Sequence, residues 1–423
     1  MRKMSVLLFS LCLFWFAHCS VAAAQHSLTH SLKHGSATLI PVPEGAVNAV
    51  GFLNSVASSG NTVVLGAVKT VVASNPEVGA AFVFERPKGG WTGTLQQSAT
   101  LIAADQAAFD FLGFSVAVSD DVVLAVGIKG MYVFLKPKGG WSGVITESAL
   151  LTASQGQATG PVAIDGDTVA AGGSFGLGQG DVLVFLRPRQ GWSGTVHESA
   201  RLIASDGANF DALGSSVAID DKTVVAGAPN AAVDSNSFQG AAYVFRRPSG
   251  GWSGTISQSA KLVASDGGAD NFLGSSVAID HRTIVVGAPN AAGLTGDTGA
   301  AYVFTRPEGS WSGQLTENAK LISSTGVAGD NLGFSVGISN ELAVAGGPIT
   351  GSPQPHTGTV YVFDRPEGGW SGTHLEDAQL TAPGSSLFFG SAISLSRGVL
   401  SAADPAALQS PPGAGYAIPV GNP

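Results

Sequence analysis

The chain has 423 residues, of which 44% are hydrophobic and only 12% are charged, and it contains 58 glycines. A chain of this length can bury a large core, and many glycines with few charges indicate compact all-β structure with many turns. The formal net charge of −9 argues against nucleic acid and anionic membranes as partners, because both are negatively charged.

The first residues have the pattern of an export signal. Arg2 and Lys3 precede an apolar run at residues 6–17, which is too short to span a bilayer comfortably. A basic head, a short apolar core and small residues at the end are typical of a secretory signal peptide. We therefore expect residues 1–24 to be removed by cleavage near Ala24. The product would be secreted, periplasmic or held at the cell surface, without membrane insertion.

Both cysteines of the chain, Cys12 and Cys19, lie inside the expected signal. A lipid anchor on Cys19 is the alternative, but His18 stands at the preceding position, where a small residue is expected. After cleavage the chain would hold neither disulfides nor thiolate ligands for a metal. We expect no cofactor, no metal, a monomeric protein and a short N-terminal arm at residues 25–35.

An internal repeat organises most of the chain. An aromatic stretch such as AAYVF, a version of the phrase RPxGGWSGT and a short stretch such as SAKLVAS follow each other in six units. With a hairpin of the type VAIDHRTIVVG they give four short strands per unit. Such a unit of about 50 to 60 residues is typical of a propeller blade. The tryptophans that mark the units are Trp91, Trp141, Trp192, Trp252, Trp311 and Trp370.

The innermost-strand phrase occurs seven times, which predicts seven blades. The last unit ends one strand short, whereas residues 36–42 (SATLIPV) match residues 98–104 (SATLIAA). We therefore predict an all-β, seven-bladed β-propeller of four-stranded antiparallel blades at residues 36–420. In it, the N-terminal strand 36–42 pairs with the last blade at 390–420 and closes the ring. The innermost strands begin near Gly51, Gly113, Gly160, Gly214, Gly274, Gly333 and Gly390.

The two ends of the repeated phrase are its most specific parts. Residues 320–348 keep Leu332-Gly333-Phe334 at the opening and Gly-Gly-Pro at the end. This pattern resembles the FG-GAP repeat, the unit of integrin α-chain propellers and of many secreted proteins. The resemblance extends over the chain from about residue 36. It implies the propeller fold and a role in protein binding or cell adhesion, although the family is defined by its scaffold rather than by one function.

The turn between the first two strands departs from the integrin pattern. Integrin-type units often insert an acidic calcium loop at this place. Here the connection is as short as Asp220-Asp221-Lys222, which cannot present the six or more oxygens that calcium prefers. We interpret these acids as turn formers whose side chains hydrogen-bond the backbone.

A second set of acids and amides occupies the loops before each innermost strand and after each Gly-Ala-Pro. In the FG-GAP family these loops share the face on which integrin-like propellers meet partners. The side chains either cap tight turns or form a ring of oxygens and amides suited to a sugar, a cation or a protein loop. The candidate ligand-binding residues are Asp105, Asp110, Asp206, Asn209, Asp211, Asp266, Asp270, Asn271, Asp330, Asn331, Asn230 and Asn290.

Three functions fit these observations. The first is an exported, non-enzymatic binding scaffold whose loop-rich face holds an unknown protein or a surface glycan. The second is a lectin with the repeated tryptophans as sugar platforms, although a residue repeated in every blade more often packs between blades. The third is a hydrolase or lyase that uses axial carboxylates such as Asp206 and Asp266.

Catalysis has little support in the sequence. The string GGSFG around Ser174 fits the pattern GxSxG of a nucleophile elbow. It stands at a predicted strand end, and no helix follows it to build such an elbow. We therefore expect no catalytic residue.

Overall fold

Short β-strands make up all the regular structure in the residues that the computed structural model describes. These residues are 36–45, 47–50, 53–173, 178–348, 357–382, 386–405 and 413–420. The expected signal 1–24, the arm 25–35 and Ser174 lie outside them. Within the described ranges, no helix is long and apolar enough to cross a membrane.

The strands are short throughout and number 36 in the described ranges. The first eighteen are β1 (Ala37–Leu39), β2 (Val47–Ala49), β3 (Leu53–Ser59), β4 (Thr62–Ala67), β5 (Val71–Val72), β6 (Ala80–Glu85), β7 (Gly93–Leu95), β8 (Ala99–Ile102), β9 (Val116–Ser119), β10 (Val122–Gly127), β11 (Gly130–Leu135), β12 (Gly143–Thr146), β13 (Ala149–Thr152), β14 (Val162–Asp165), β15 (Thr168–Gly172), β16 (Val182–Leu186), β17 (Gly194–His197) and β18 (Ala200–Ile203). The others are β19 (Ser216–Asp220), β20 (Thr223–Ala228), β21 (Ala241–Arg246), β22 (Gly254–Ser257), β23 (Ala260–Val263), β24 (Ser276–Asp280), β25 (Thr283–Ala288), β26 (Ala300–Thr305), β27 (Gly313–Thr316), β28 (Ala319–Ile322), β29 (Ser335–Ser339), β30 (Leu342–Gly347), β31 (Thr359–Asp364), β32 (Gly372–Leu375), β33 (Ala378–Thr381), β34 (Ala392–Ser396), β35 (Val399–Asp404) and β36 (Ala414–Pro419).

All of these strands except β2 and β5, which pair only with each other, form seven blades around an axis, which confirms the predicted propeller. In each blade we name the strands a to d from the axis outward; neighbours pair antiparallel, as β24, β25, β26 and β28 do in blade 5. The seven a strands contact one another in a closed ring. The a strands of blades 1 to 7 are β3, β9, β14, β19, β24, β29 and β34; the d strands are β8, β13, β18, β23, β28, β33 and β1.

The ring closes through the N-terminal strand, as predicted. Strand β1 pairs antiparallel with β36, with Ala37 opposite Ala417 and Leu39 opposite Gly415. It supplies strand d of blade 7, so the first and last parts of the chain share one blade. Ala37 and Leu39 are fully buried there, which means that closure also contributes to the core.

The predicted four-stranded blade is incomplete in one respect. Six blades carry a fifth strand, e, which pairs parallel with strand d; in blade 4, for example, Gly313 of β27 lies opposite Ala260 of β23. Strand e comes from the GWSGT segment of the following unit, so every such segment fastens one blade to the next. The e strands are β7 on blade 7, β12 on blade 1, β17 on blade 2, β22 on blade 3, β27 on blade 4 and β32 on blade 5.

The hydrophobic core is divided among the seams between blades. The seam between blades 3 and 4, for example, packs Val184 and Leu202 against Tyr243, Phe245 and Trp252. All six repeated tryptophans are at most 6% exposed, because strand e inserts each indole between two blades. A buried indole cannot stack on a sugar, so these residues are packing residues.

Two glycines explain why the repeated phrase begins with Leu-Gly and ends with Gly-Ala-Pro. Gly227 is the penultimate residue of strand b in blade 4, and a side chain on it would overlap the carbonyl oxygen of Gly274 in the next blade. Gly274 has φ +95°, a conformation that favours glycine. The two ends of the phrase are thus the places where neighbouring backbones touch.

Candidate functional site

Two sets of loops share one face of the propeller. Antiparallel strands alternate in direction, so the loops from strand d to the next strand a lie on the same side as the loops from b to c. We call this side the loop face and the side of the a–b turns the turn face. All twelve candidate residues lie on loops of the loop face, as the resemblance implied.

The d–a loops turn through two residues with positive φ. Between blades 1 and 2 these are Phe109 (φ 61°) and Phe111 (φ 54°), on either side of Asp110. A bulky residue in this region of φ is uncommon and strained. The same two positions hold Phe210 and Ala212, Asp270 and Phe272, and Gly329 and Asn331 in later loops.

Asp206 and Asp266 pair with lysines of the blade that follows. Asp266 accepts hydrogen bonds from Lys320 Nζ at 2.6 Å and from the Tyr302 hydroxyl at 2.9 Å. Asp206 accepts one from Lys261 Nζ at 2.6 Å. Burial opposes ionisation of Asp266, but the hydrogen bonds from Lys320 and Tyr302 outweigh it and hold its pKa below the usual value. These carboxylates therefore link blades to one another.

Asp105 and Asp110 lie in one loop but in different environments. Asp105 is exposed and forms an ion pair with Lys129. Asp110 is fully buried and accepts a hydrogen bond from the Tyr132 hydroxyl at 2.7 Å. Burial raises the pKa of Asp110, although the bond from Tyr132 opposes this. Both side chains again contact the following blade.

Three candidate residues cap their own loops. Asp211, Asn271 and Asp330 stand two positions before the leucine of the Leu-Gly phrase, and each accepts a hydrogen bond from the backbone N–H three residues earlier. This is the turn-forming use of Asp and Asn. The donors are Ala208 at 2.8 Å, Gly268 at 2.7 Å and Val327 at 2.9 Å.

The remaining candidates divide into linking amides and exposed side chains. Asn230 Nδ2 donates to the Phe210 carbonyl at 3.0 Å, and Asn331 Nδ2 donates to the Pro348 carbonyl at 3.4 Å. These bonds join d–a loops to b–c loops. The contacts of the twelve residues thus favour turn capping and blade pairing over a shared ring of ligand oxygens. Exposed side chains are those of Asn209, Asp270 and Asn290.

The loop face also carries exposed apolar residues that sequence reasoning missed. Ten large apolar side chains are exposed in the described residues, and eight of them lie on loops of this face. The other two, Val144 and Leu375, lie on e strands. The sequence could have indicated two of these residues, because Phe109 and Phe210 stand where other units have Asp270 and Gly329. The eight are Phe109 (52% exposed), Phe114 (53%), Ile128 (54%), Phe210 (57%), Phe238 (43%), Leu294 (59%), Val327 (37%) and Phe334 (45%).

Acids of the turn face accept hydrogen bonds from the neighbouring blade. Asp220 Oδ2 accepts a hydrogen bond from the backbone N–H of His281 at 2.7 Å, and Asp165 Oδ2 accepts one from Asp221 at 2.6 Å. Asp280 does the same for Asn340. As the sequence analysis expected, these side chains accept hydrogen bonds from the backbone, but the donors belong to the neighbouring blade. Across the described ranges, no three His, Cys, Asp or Glu residues are arranged to hold a metal ion.

Comparison with known families agrees with this architecture. The model of the FG-GAP repeat matches residues 196–245, 256–304 and 315–363. Each match runs from strand e or its end, through strand d, to strand c of the next blade. The chain thus contains three FG-GAP repeats within a seven-bladed propeller. No curated protein matches the chain.

Proposed function

We propose that this FG-GAP propeller is an exported, non-enzymatic scaffold that binds another protein through its loop face. The observation that carries the proposal is the concentration of eight exposed apolar side chains on one face. Exposed apolar residues gathered on one surface are typical of protein interaction sites, and aromatic residues contribute most per contact. The FG-GAP fold is consistent with such a scaffold.

Strained phenylalanines on this face support the same proposal. Phe109 and Phe210 are more than half exposed and have positive φ. Less than half of either side chain is buried within the chain, so burial offsets only part of that strain. Strain of this kind concentrates at functional sites, so a partner that covers these rings would explain their presence.

The other two functions have less support from the structure. A lectin built on the repeated tryptophans would need exposed indoles, and these are buried. A hydrolase or lyase built on Asp206 and Asp266 would need free carboxylates, and each is already paired with a lysine of the following blade.

Comparative capture from the extracellular proteins of the source organism tests the proposal. The bait is the wild-type chain beside the double variant Phe109→Ser and Phe210→Ser, with Leu375→Ser as the matched control. Leu375 is 48% exposed but lies on strand β32, away from the loop face. We expect a protein that the wild type and the control retain and the double variant loses. The same captured set from all three baits would contradict the proposal.

A further inference from the structure

Blade 6 ends in an uncovered strand. Its outermost strand β33 pairs with β31 on one side, and no strand of the described ranges pairs with its other side. Each of the other six blades carries a strand e at that place. An unpaired edge offers backbone N–H and C=O groups to any extended chain.

The missing strand leaves apolar side chains partly uncovered. Ala378 and Leu380 of β33 are only half-buried, whereas their counterparts Ala319 and Leu321 in blade 5 are 1% and 0% exposed. The seam between blades 6 and 7 is built from residues such as Leu400 and includes no tryptophan among the described residues. This edge is therefore apolar as well as unpaired.

The order of the repeats explains the gap. In the other units a GWSGT segment precedes strand d and becomes strand e of the blade before. Strand d of blade 7 is β1, and the sequence before it is SLKHGS, residues 31–36. It has Lys33 where five of the six e strands have Leu, Ile or Val. The sequence thus has a charged residue at this place of the repeat, where most other units have an aliphatic one.

The six e strands describe what the edge accepts. Each runs parallel to strand d and begins with glycine; the N–H of Gly372, for example, donates to the Asn318 carbonyl at 3.0 Å. The third residue is half-buried against the seam in every case, and in five strands it is aliphatic. These third residues are Leu95, Ile145, Val196, Ile256, Leu315 and His374.

A glutamate or glutamine two positions later usually completes the contact. Glu317, for example, accepts hydrogen bonds from the backbone N–H and the hydroxyl group of Ser265, a residue that follows strand d of blade 4. At the corresponding place after β33 the chain has Pro383, which has no N–H to donate. Blade 6 therefore needs only the backbone and the aliphatic third residue of an added strand.

We propose that the free edge of β33 binds an extended segment of a partner protein as a parallel strand e with the pattern Gly-x-aliphatic. Backbone hydrogen bonds would supply affinity, and the apolar surface around Leu380 would select the aliphatic side chain. The edge of β33 is distinct from the loop face, so this proposal does not depend on protein binding by the loop face.

The probe is a fluorescent peptide with the sequence GQLTEN, residues 313–318 of the chain itself. Two control peptides replace its leucine with lysine or carry a methyl group on the leucine backbone nitrogen. We expect the wild-type protein to bind GQLTEN at least about tenfold more tightly than either control. Hydrogen exchange of the complex should show added protection at β33.

Equal binding of the three peptides, absence of binding, or protection confined to other strands would overturn the proposal. Binding that appears only after residues 25–35 are deleted would also overturn it, because the arm would then be the natural occupant. The loop-face double variant separates the two proposals, since it should lose its protein partner and still bind GQLTEN.

Discussion

Phe210 combines two features that do not stabilise the folded chain. It has φ +72° and its side chain is 57% exposed. Other d–a loops have Asp270 and Gly329 at the same position, with φ 60° and 92°, and such residues tolerate this conformation better than phenylalanine. The propeller fold thus does not require an aromatic ring here. We attribute the ring to the proposed binding of a partner protein.

Replacing Phe210 with asparagine should therefore make the protein more stable and weaken partner binding. We expect the free energy of unfolding in urea to rise by up to about 1 kcal/mol, because asparagine relieves the strain. Phe114→Asn is the control, since Phe114 is 53% exposed but does not have positive φ. A loss of stability in Phe210→Asn would show that the ring packs within the fold.

The Asp266 ion pair makes stability depend on pH. Hydrogen bonds from Lys320 and Tyr302 hold the pKa of Asp266 below its ordinary value of 3.8. A carboxylate with a lowered pKa in the folded state contributes stability above its unfolded pKa, and this contribution is lost as the pH falls through the folded pKa.

We therefore expect the free energy of unfolding to fall as the pH drops below about 4, and less steeply in Asp266→Asn than in the wild type. Urea unfolding at a series of pH values measures both slopes. The substitution keeps the shape of the side chain and removes the titrating group. An equally steep decline of the free energy of unfolding in the variant would show that Asp266 does not contribute to the loss of stability at low pH.

At the scale of elements, strand e is the main device that joins blades. Strand β27 pairs with β23 of the preceding blade, and Trp311 fills the seam between the two blades. The Glu317 carboxylate accepts hydrogen bonds from the Ser265 backbone nitrogen at 2.9 Å and from the Ser265 hydroxyl oxygen at 2.6 Å. One segment thus contributes backbone pairing, core packing and a charged hydrogen bond.

Replacing Glu317 with alanine removes only the last of these contributions. We expect the free energy of unfolding to fall by about 1 kcal/mol, since two hydrogen bonds to a partly exposed carboxylate are lost. Glu308→Ala is the matched control, because Glu308 is exposed on the preceding turn and should change stability by less than about 0.5 kcal/mol. An equal effect of both substitutions would contradict this role of Glu317.

Strands a to d could be predicted from the sequence, whereas strand e could not. Strands such as β25 are uninterrupted apolar runs bounded by turn residues, and they pair with their neighbours in sequence. Strand β27 has the sequence GQLT with one half-buried residue, and its partner belongs to another blade. Neither its pattern nor its neighbours in sequence indicate that pairing.

The placement of the candidate residues on one face could be predicted from the sequence, but their contacts could not. The repeats predict that the loops share one face, and the acids on these loops are residue types that could bind a sugar, a cation or a protein loop. Their partners, such as Lys320 for Asp266, come from the next blade and follow only from the packing of blades. The positive φ of Phe210 is likewise a property of the backbone, so its strain could not be read from the sequence.

At the scale of the whole molecule, closure by β1 completes the ring. This strand pairs with β36 on one side and with β7 on the other, so both of its own edges are paired and the edge of β36 is covered. Removing it would expose the edge of β36 and the seam that Leu39 fills. Exposed, apolar strand edges favour aggregation.

Deleting residues 36–42 should therefore lower the melting temperature or cause aggregation. The control carries the same residues on a short linker after the C-terminus, where they can pair with β36 as a hairpin. We expect this rearranged chain to regain most of the lost stability. A deletion variant that stays monomeric and melts like the wild type would contradict closure by the N-terminal strand.

Site-specific photocrosslinking in the source organism tests most directly whether the loop face binds a protein, as we claim. A benzophenone amino acid would replace Phe210 on the loop face or Leu375 on strand β32; both positions are exposed. We predict a defined crosslinked protein from position 210 and none from position 375. The absence of a crosslink at 210, or the same crosslinks from both positions, would contradict the claim.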